Sequence, residues 1–297
     1  MIPDLLQYEF MRNAFLAGLL VSVACGVVGT LVVVNRLSFL AGGVAHAAYG
    51  GLGLAAFARW SPESGIIPFA LGSSLLMGFV SRKNKERSDT VIGVMWAVGM
   101  ALGIILIDLT PGYYADLMSY LFGSIMAVSQ QSLLLMVVLD FVILICIILL
   151  YKEILSVSYD EEFASISGVP ARALYYVILM LIALTVIMLI QAVGLILVIA
   201  LFTIPASIAE LFTKDLKRMM IVSSLLGMLF TTAGLLVSYL CNITAGASIV
   251  LSACIGYGTA LIIIKVKKSK FKAVIMKNRE TICSTECSAL QDSEHRK

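Results

Sequence analysis

The sequence predicts an all-α, polytopic membrane protein with eight or nine transmembrane helices. Of its 297 residues, 60% are hydrophobic and only 13% are charged, whereas soluble domains are about one quarter charged. The mean hydropathy is +1.01. A helix that crosses the hydrocarbon core needs about 20 apolar residues, and the chain contains several runs of that length.

Nine apolar runs are candidate spans. They cover residues 13–34, 38–58, 64–81, 90–108, 129–151, 172–190, 192–211, 219–240 and 246–266. The sixth and seventh nearly touch at "LIQAVGLILV", which leaves the number of spans at eight or nine. The first run lacks a basic region before it and a small-x-small cleavage site, so we interpret it as a span rather than a signal peptide. We expect residues 1–266 to form the transmembrane domain and 267–297 a disordered, basic cytoplasmic tail.

Basic residues cluster in loops on one side of the predicted spans. They lie in 81–89, 152–171, 213–219 and 266–297, whereas the loops "DLTPGYYADLMSYLFG" and "CNITAGAS" contain no Lys or Arg. The positive-inside rule therefore places the basic loops in the cytoplasm. With nine spans, the N-terminus is outside.

Several enzyme classes lack their signature in this chain. There is no G-x-x-x-x-G-K-[ST], no H-E-x-x-H and no G-x-S-x-G, so the sequence predicts no P-loop ATPase, zincin or serine hydrolase site. Cys283, Cys287 and His295 in the tail are metal-ligating residue types, but their spacing is loose. A tail without a metal site is the simpler interpretation.

Two ionisable residues lie deep in predicted spans, where they are costly and therefore candidates for function. His46 is ten residues beyond Arg36, and Asp140 is twelve before Lys152. Helix rise puts them about 15 Å and about 18 Å from the cytoplasmic face. An imidazole and a carboxylate suit Zn²⁺ or Mn²⁺, but a proton path or a structural pair is equally compatible with these residues.

Small residues surround His46. Gly42, Gly43 and Gly50 belong to the run "LSFLAGGVAHAAYGGLGLAAF". Such residues let helices approach closely, and they also leave room for a pore. Tight packing and pore lining both remain open.

The segment 152–171 is the longest polar interruption before the tail. Ser158 is a plausible N-cap, acidic residues follow it, and Gly168 precedes Pro170 as a stop signal. The pattern predicts a short helix at the cytoplasmic surface, either a simple connector or a docking element for a partner.

Six blocks together resemble a known family. "VVVNRLSFLAGGVAHAAYGGLGLA" resembles the second-helix motif of the metal-ion permeases of ABC importers, the zinc and manganese family of ABC-3 type. The following blocks match in order over about 35–255: "RSDTVIGVMWAVGMALGIIL", "DLMSYLFGSIMAVS", "SYDEEFASISGVPARAL", "AVGLILVIALFTIPASIA" and "TAGASIVL".

The resemblance implies the type II-like, vitamin B12 importer-like permease fold in a bacterial inner membrane. It implies import of Zn²⁺, Mn²⁺ or Fe²⁺ as cargo, without a permanently bound cofactor. Two copies of the chain would pair in the lipid with cytoplasmic ATP-binding subunits, which hydrolyse ATP, so this chain is not itself the enzyme. An extracytoplasmic metal-binding protein would deliver the ion, and no nucleic acid is involved. A secondary transporter or channel, or an ABC permease for a metal chelate, is the alternative.

The resemblance also assigns residues. The family's D-x-x-x-H motif places His46 in the metal path, but Gly42 stands where the aspartate is expected. Asp140 as its substitute is our own interpretation of the sequence and does not come from the family. The segment 159–169 corresponds to the helix that couples to the ATPase. Its residues of interest are Asp160, Glu161, Glu162, Phe163, Ala164 and Gly168.

Overall fold

The structure, a computed structural model, describes residues 9–83, 87–110, 123, 125, 128–195 and 198–267. The predicted tail lies outside the described residues from position 268 onward, and with it the tail's candidate metal ligands Cys283, Cys287 and His295. Residues 1–254 and 255–297 form two compact units, and the contacts described below lie within the first.

Every regular element in the described part of the chain is a helix. In order these are α1 (Glu9–Val34), α2 (Ser38–Ala58), α3 (Pro62–Lys83), α4 (Ser88–Asp108), α5 (Gln130–Leu149), α6 (Tyr151–Tyr159), α7 (Glu161–Ile166), α8 (Ala171–Ala192), α9 (Val198–Phe212), α10 (Leu216–Cys241) and α11 (Ala245–Lys267). Eight of them are long and apolar enough to cross a membrane, and α9 is a shorter apolar helix. The predicted fold class, an all-α polytopic membrane protein, is confirmed.

Helix α2 lies inside the bundle, packed against α3, α4, α8 and α9. Its glycines bring it unusually close to its neighbours. The backbone of Gly51 contacts that of Gly65 in α3, and a Cβ atom on Gly50 would lie 2.9 Å from the Gly99 carbonyl oxygen of α4. Small residues thus fit α2 between two helices, as close packing in a membrane requires.

Helices α4 and α5 are peripheral and bury only one stripe each. In α4 this stripe is Ile92, Gly99 and Gly103. In α5 it is Met136, Asp140, Ile143 and Ile147, which face α1 and α8. The remaining surface of both helices is apolar and exposed, as expected for a surface that meets lipid or another subunit.

Three contacts gather the predicted cytoplasmic loops at one end of the bundle. The Asn35 side-chain amide donates to Ser158 Oγ at 3.2 Å, and Arg82 pairs with Glu161. The Tyr159 hydroxyl donates to the carbonyl oxygen of Lys214 at 3.0 Å. The grouping agrees with the positive-inside assignment.

The same contacts bear on the number of passes. Helix α8 starts at the end where Glu161 lies and runs away from it for 22 residues, or about 33 Å. Lys214 is back at the starting end. Among the described residues, the helix that lies between these two points is α9, only 15 residues long. Within the described part of the chain this gives nine passes, eight by the long helices and one by α9.

The surface segment after α5 forms two short helices instead of one. The N-cap of α7 is Asp160, whose carboxylate accepts from the Phe163 N–H at 2.9 Å. The prediction of Ser158 as N-cap was wrong, because α6 runs through it and its hydroxyl bonds with Asn35 instead. A capping residue must precede the first free N–H groups, and the break between the two helices falls at Asp160.

The predicted stop at Gly168 is confirmed. Gly168 has φ +85°, in the left-handed region. Its N–H donates to the Ser165 carbonyl at 3.2 Å, and the Val169 N–H donates to the Ala164 carbonyl at 3.0 Å. This pair of bonds is the Schellman motif, in which glycine is the preferred residue at the left-handed position.

Candidate functional site

His46 lies in the middle of α2 and stacks on an indole. The ring centroids of His46 and Trp96 are 4.2 Å apart, with an angle of 11° between the planes. Stacking covers a face of the imidazole, whereas the lone pair of its unprotonated nitrogen lies in the ring plane and points outward from the ring edge. Among the described residues, none forms a hydrogen bond with the His46 ring. The half-buried imidazole is therefore available to accept a metal ion or a proton.

Trp96 is itself held in place. Its indole N–H donates to the Met100 sulfur, one turn later in α4, at 3.1 Å. The Phe39 ring lies 6.2 Å from the indole, centroid to centroid, with an angle of 49° between the planes. Phe39, His46 and Trp96 form an aromatic cluster between the cytoplasmic half of α2 and α4.

The three glycines that were candidates for pore lining each face a neighbouring helix. A Cβ atom on Gly42 would lie 2.5 Å from Ile199 Cδ1 of α9. On Gly43 it would lie 2.5 Å from Ile92 Cγ2, and on Gly50 it would lie 2.7 Å from Phe69 Cζ. Helix packing within the chain accounts for these small residues. Pore lining by Gly42, Gly43 and Gly50 stays a prediction.

Asp140 is a buried carboxylate in the centre of α5. Its exposed fraction is 5%, and its Oδ1 atom has no hydrogen-bond partner in the part of the chain that the structure describes. A carboxylate placed among aliphatic side chains without compensation costs free energy, so Asp140 remains a candidate functional residue.

The two candidate ligands, His46 and Asp140, lie at a similar depth in their helices but do not contact each other. His46 is eight residues from the cytoplasmic end of α2, and Asp140 is nine from that of α5, which corresponds to about 12 and 14 Å. Among the described residues, no hydrogen bond, ion pair or ring contact joins them. Nor do three His, Cys, Asp or Glu side chains converge anywhere in this part of the chain. Their joint role in a metal path remains a prediction.

A second cluster lies at the cytoplasmic end, where α3 meets α7. The Arg82 guanidinium pairs with Glu161 and lies 4.8 Å from the centroid of the Tyr175 ring in α8. A cavity of about 530 Å³ opens beside it, lined also by Glu162 and Arg172. This arrangement ties the end of α3 to the predicted coupling helix. Phe163 and Ile166 of that helix remain 63% and 87% exposed.

Sequence reasoning missed Trp96 and Arg82. Trp96 is one of only two tryptophans in the chain, and its position in a predicted span was the only available signal. Arg82 was interpreted only as part of a basic loop, because its partner Glu161 is 79 residues away.

Comparison with known proteins gives a consistent result. An uncharacterized membrane protein of Synechocystis is 54% identical over 252 residues, covering 85% of this chain and 90% of that protein. The manganese transport system membrane protein MntC of Listeria monocytogenes is 31% identical, with 86% and 90% covered. The structure of PsaBC from Streptococcus pneumoniae in complex with a Fab matches with a TM-score of 0.80 at 31% identity, covering 88% of this chain and 95% of that one.

The family model supports the same assignment over nearly the whole described chain. The model of the ABC 3 transport family matches residues 7–264, which include all eleven helices except the last three residues of α11. This multi-pass membrane protein belongs to the ABC 3 transport family.

Proposed function

We propose that this chain is the permease subunit of an ATP-driven importer for a divalent transition-metal ion. The observation that supports it most directly is the His46 imidazole, placed in the middle of a buried membrane helix with its ring nitrogens unbonded among the described residues. The family assignment and the relative named for manganese transport make Mn²⁺ the first cargo to test, before Zn²⁺ and Fe²⁺. Imidazole nitrogen and carboxylate oxygen suit these ions.

His46 and Asp140 are the proposed protein groups of the metal path. An ion that leaves water at this depth needs replacement ligands, and His46 is the only imidazole in the described chain. Asp140 supplies negative charge at nearly the same depth. The carboxylate expected at Gly42 is missing, and the Ile199 side chain lies where it would begin.

The energy source in this proposal is a separate cytoplasmic ATP-binding subunit. Helix α7 fits the docking role because it combines exposed apolar side chains, Phe163 and Ile166, with acidic residues at its first turn. Protein interfaces commonly have an apolar centre surrounded by polar and charged residues. A second copy of the chain and an extracytoplasmic metal-binding protein complete the proposed assembly.

The test is metal transport by the complex reconstituted in liposomes with its ATPase and its binding protein. We expect uptake of Mn²⁺, Zn²⁺ or Fe²⁺ that needs hydrolysable ATP, together with ATPase activity stimulated by the loaded binding protein. Uptake that continues at the same rate with a non-hydrolysable ATP analogue would instead identify a secondary transporter or channel.

A further inference from the structure

We propose that Trp96 is a positioning residue for metal transfer, because its indole fixes the plane of the His46 imidazole and presents the ring edge to the passing ion. This inference rests on the proposed function, and it adds a residue that neither the sequence motif nor the family assignment supplies.

The first step concerns how a metal-binding histidine is oriented. In most protein sites the second ring nitrogen donates to a carboxylate or a carbonyl oxygen, which fixes the ring. No described residue does this for His46. The histidine side chain has a broad torsional minimum about the bond to its ring, so without a partner the ring would sample many planes. The 4.2 Å, 11° stack on Trp96 provides that restraint.

The second step concerns the rigidity of the indole. The Met100 sulfur accepts its N–H at 3.1 Å, which fixes the ring on its own helix. Close helix contacts also flank the pair on both sides. On the cytoplasmic side of the pair, Gly43 of α2 lies against Ile92 of α4. On the other side, Gly50 of α2 lies against Gly99 of α4. Helices α2 and α4 therefore cannot slide without disturbing these contacts, so Trp96 holds a fixed position relative to His46.

The third step concerns charge. The face of an indole is electronegative and attracts cations. An imidazole that has bound a divalent ion carries positive charge, whereas the free imidazole does not. The stack therefore stabilises the metal-loaded ring more than the free ring. Aromatic pairs of this kind correspond to about a two- to tenfold change in an equilibrium constant.

Transport kinetics of the reconstituted complex provide the first test. We expect Trp96→Leu to raise the KM for metal-loaded binding protein two- to tenfold with a smaller change in kcat, and Trp96→Phe to restore most of the loss. The matched control is Trp60→Leu, because Trp60 is the other tryptophan, is 59% exposed and lies just beyond the end of α2. We expect that control to behave as wild type.

Fluorescence of the full chain in lipid nanodiscs provides the second test. In the Trp60→Phe variant Trp96 is the only tryptophan, and Mn²⁺ is a paramagnetic quencher. We expect saturable quenching on titration with Mn²⁺, and loss of the saturable part when His46→Ala is added. Such quenching would place the ion at His46, beside the indole, and the change in KM with rescue by Trp96→Phe then distinguishes positioning of the ring from packing alone.

Two results would overturn the inference. One is an unchanged KM in the Trp96→Leu complex, and the other is Trp96 fluorescence that does not respond to Mn²⁺ at concentrations that saturate uptake. Either result with normal wild-type uptake rejects only the role of Trp96. Absence of ATP-dependent metal uptake by the wild-type complex would reject the proposed function itself.

Discussion

At the scale of single residues, Asp140 combines a cost in stability with an expected benefit in function. Its carboxylate is 5% exposed and its Oδ1 atom lacks a described partner. We expect Asp140→Asn to raise the thermal midpoint of unfolding, because the amide removes an uncompensated charge, and to lower metal uptake severalfold. A thermal-shift assay beside transport in liposomes measures both. The control is Met136→Leu, one turn earlier on the same buried stripe. This variant should change neither the thermal midpoint nor metal uptake strongly. Normal uptake by Asp140→Asn would show that transport does not need the negative charge of this carboxylate.

His46 and Gly42 lie one helical turn apart on the same face of α2, and this allows a gain-of-ligand experiment. A carboxylate introduced as Gly42→Asp collides with Ile199, since its Cβ atom would lie 2.5 Å from Ile199 Cδ1. We expect the single variant to lower the amount of folded protein and Gly42→Asp with Ile199→Ala to restore it. The double variant should also bind Mn²⁺ more tightly than Ile199→Ala alone, as isothermal titration can show. Equal affinities would mean that an added carboxylate does not join the metal path.

The sequence was enough to find His46 and Asp140, because ionisable residues in an apolar run stand out and helix rise gives their depth. It could not place them relative to each other. Their helices have different neighbours, and lateral packing leaves no signal in the spacing along the chain. Trp96 was missed for the same reason. Its partner belongs to another helix, and stacking depends on how α2 and α4 pack together.

At the scale of elements, the stop of α7 depends on one backbone conformation. Gly168 has φ +85°, where a leucine is strained and an asparagine is tolerated. We therefore expect Gly168→Leu to weaken binding of the permease to its ATPase and to separate ATP hydrolysis from uptake, while Gly168→Asn stays close to wild type. Co-purification and the ratio of ATP hydrolysed to ion transported measure the two effects. Open space surrounds this position, so steric collision would not explain a defect. Full coupling in Gly168→Leu would contradict the docking role of α7.

The pair of Arg82 and Glu161 links two elements that the sequence showed only separately. Its side chains are 25% and 47% exposed, so its contribution to stability is small, and its value lies in joining α3 to α7. We expect Arg82→Glu and Glu161→Arg each to lower ATP-driven uptake, and the exchanged double variant to regain part of it, since the pair is re-formed with reversed charges. Arg172→Glu, on the same cavity, is the matched control. Purely additive losses in the double variant would argue against the link.

At the scale of the whole molecule, the number of passes shows what hydropathy alone leaves undecided. The sequence allowed eight or nine spans, because two apolar runs met at "LIQAVGLILV". The interruption is at Gly194, which has φ +85° and ends the helical path after α8. The segment that follows is too short to satisfy a length criterion of about 20 residues. Only tertiary contacts could decide the matter, and the hydrogen bond from Tyr159 to Lys214 does so.

The nine-pass topology predicts a specific pattern of chemical labelling. In a cysteine-free background, a cysteine replacing Lys214 should lie in the cytoplasm with Tyr159, whereas one replacing Ser61, between α2 and α3, should lie outside. An impermeant thiol reagent applied to intact cells should therefore modify Ser61→Cys and spare Lys214→Cys until the membrane is permeabilised. Both positions are exposed, so burial would not explain a failure to react. If Lys214→Cys reacted from outside, α9 would turn back without crossing. The basic loop beside it would then face away from the ATPase that α7 is proposed to bind.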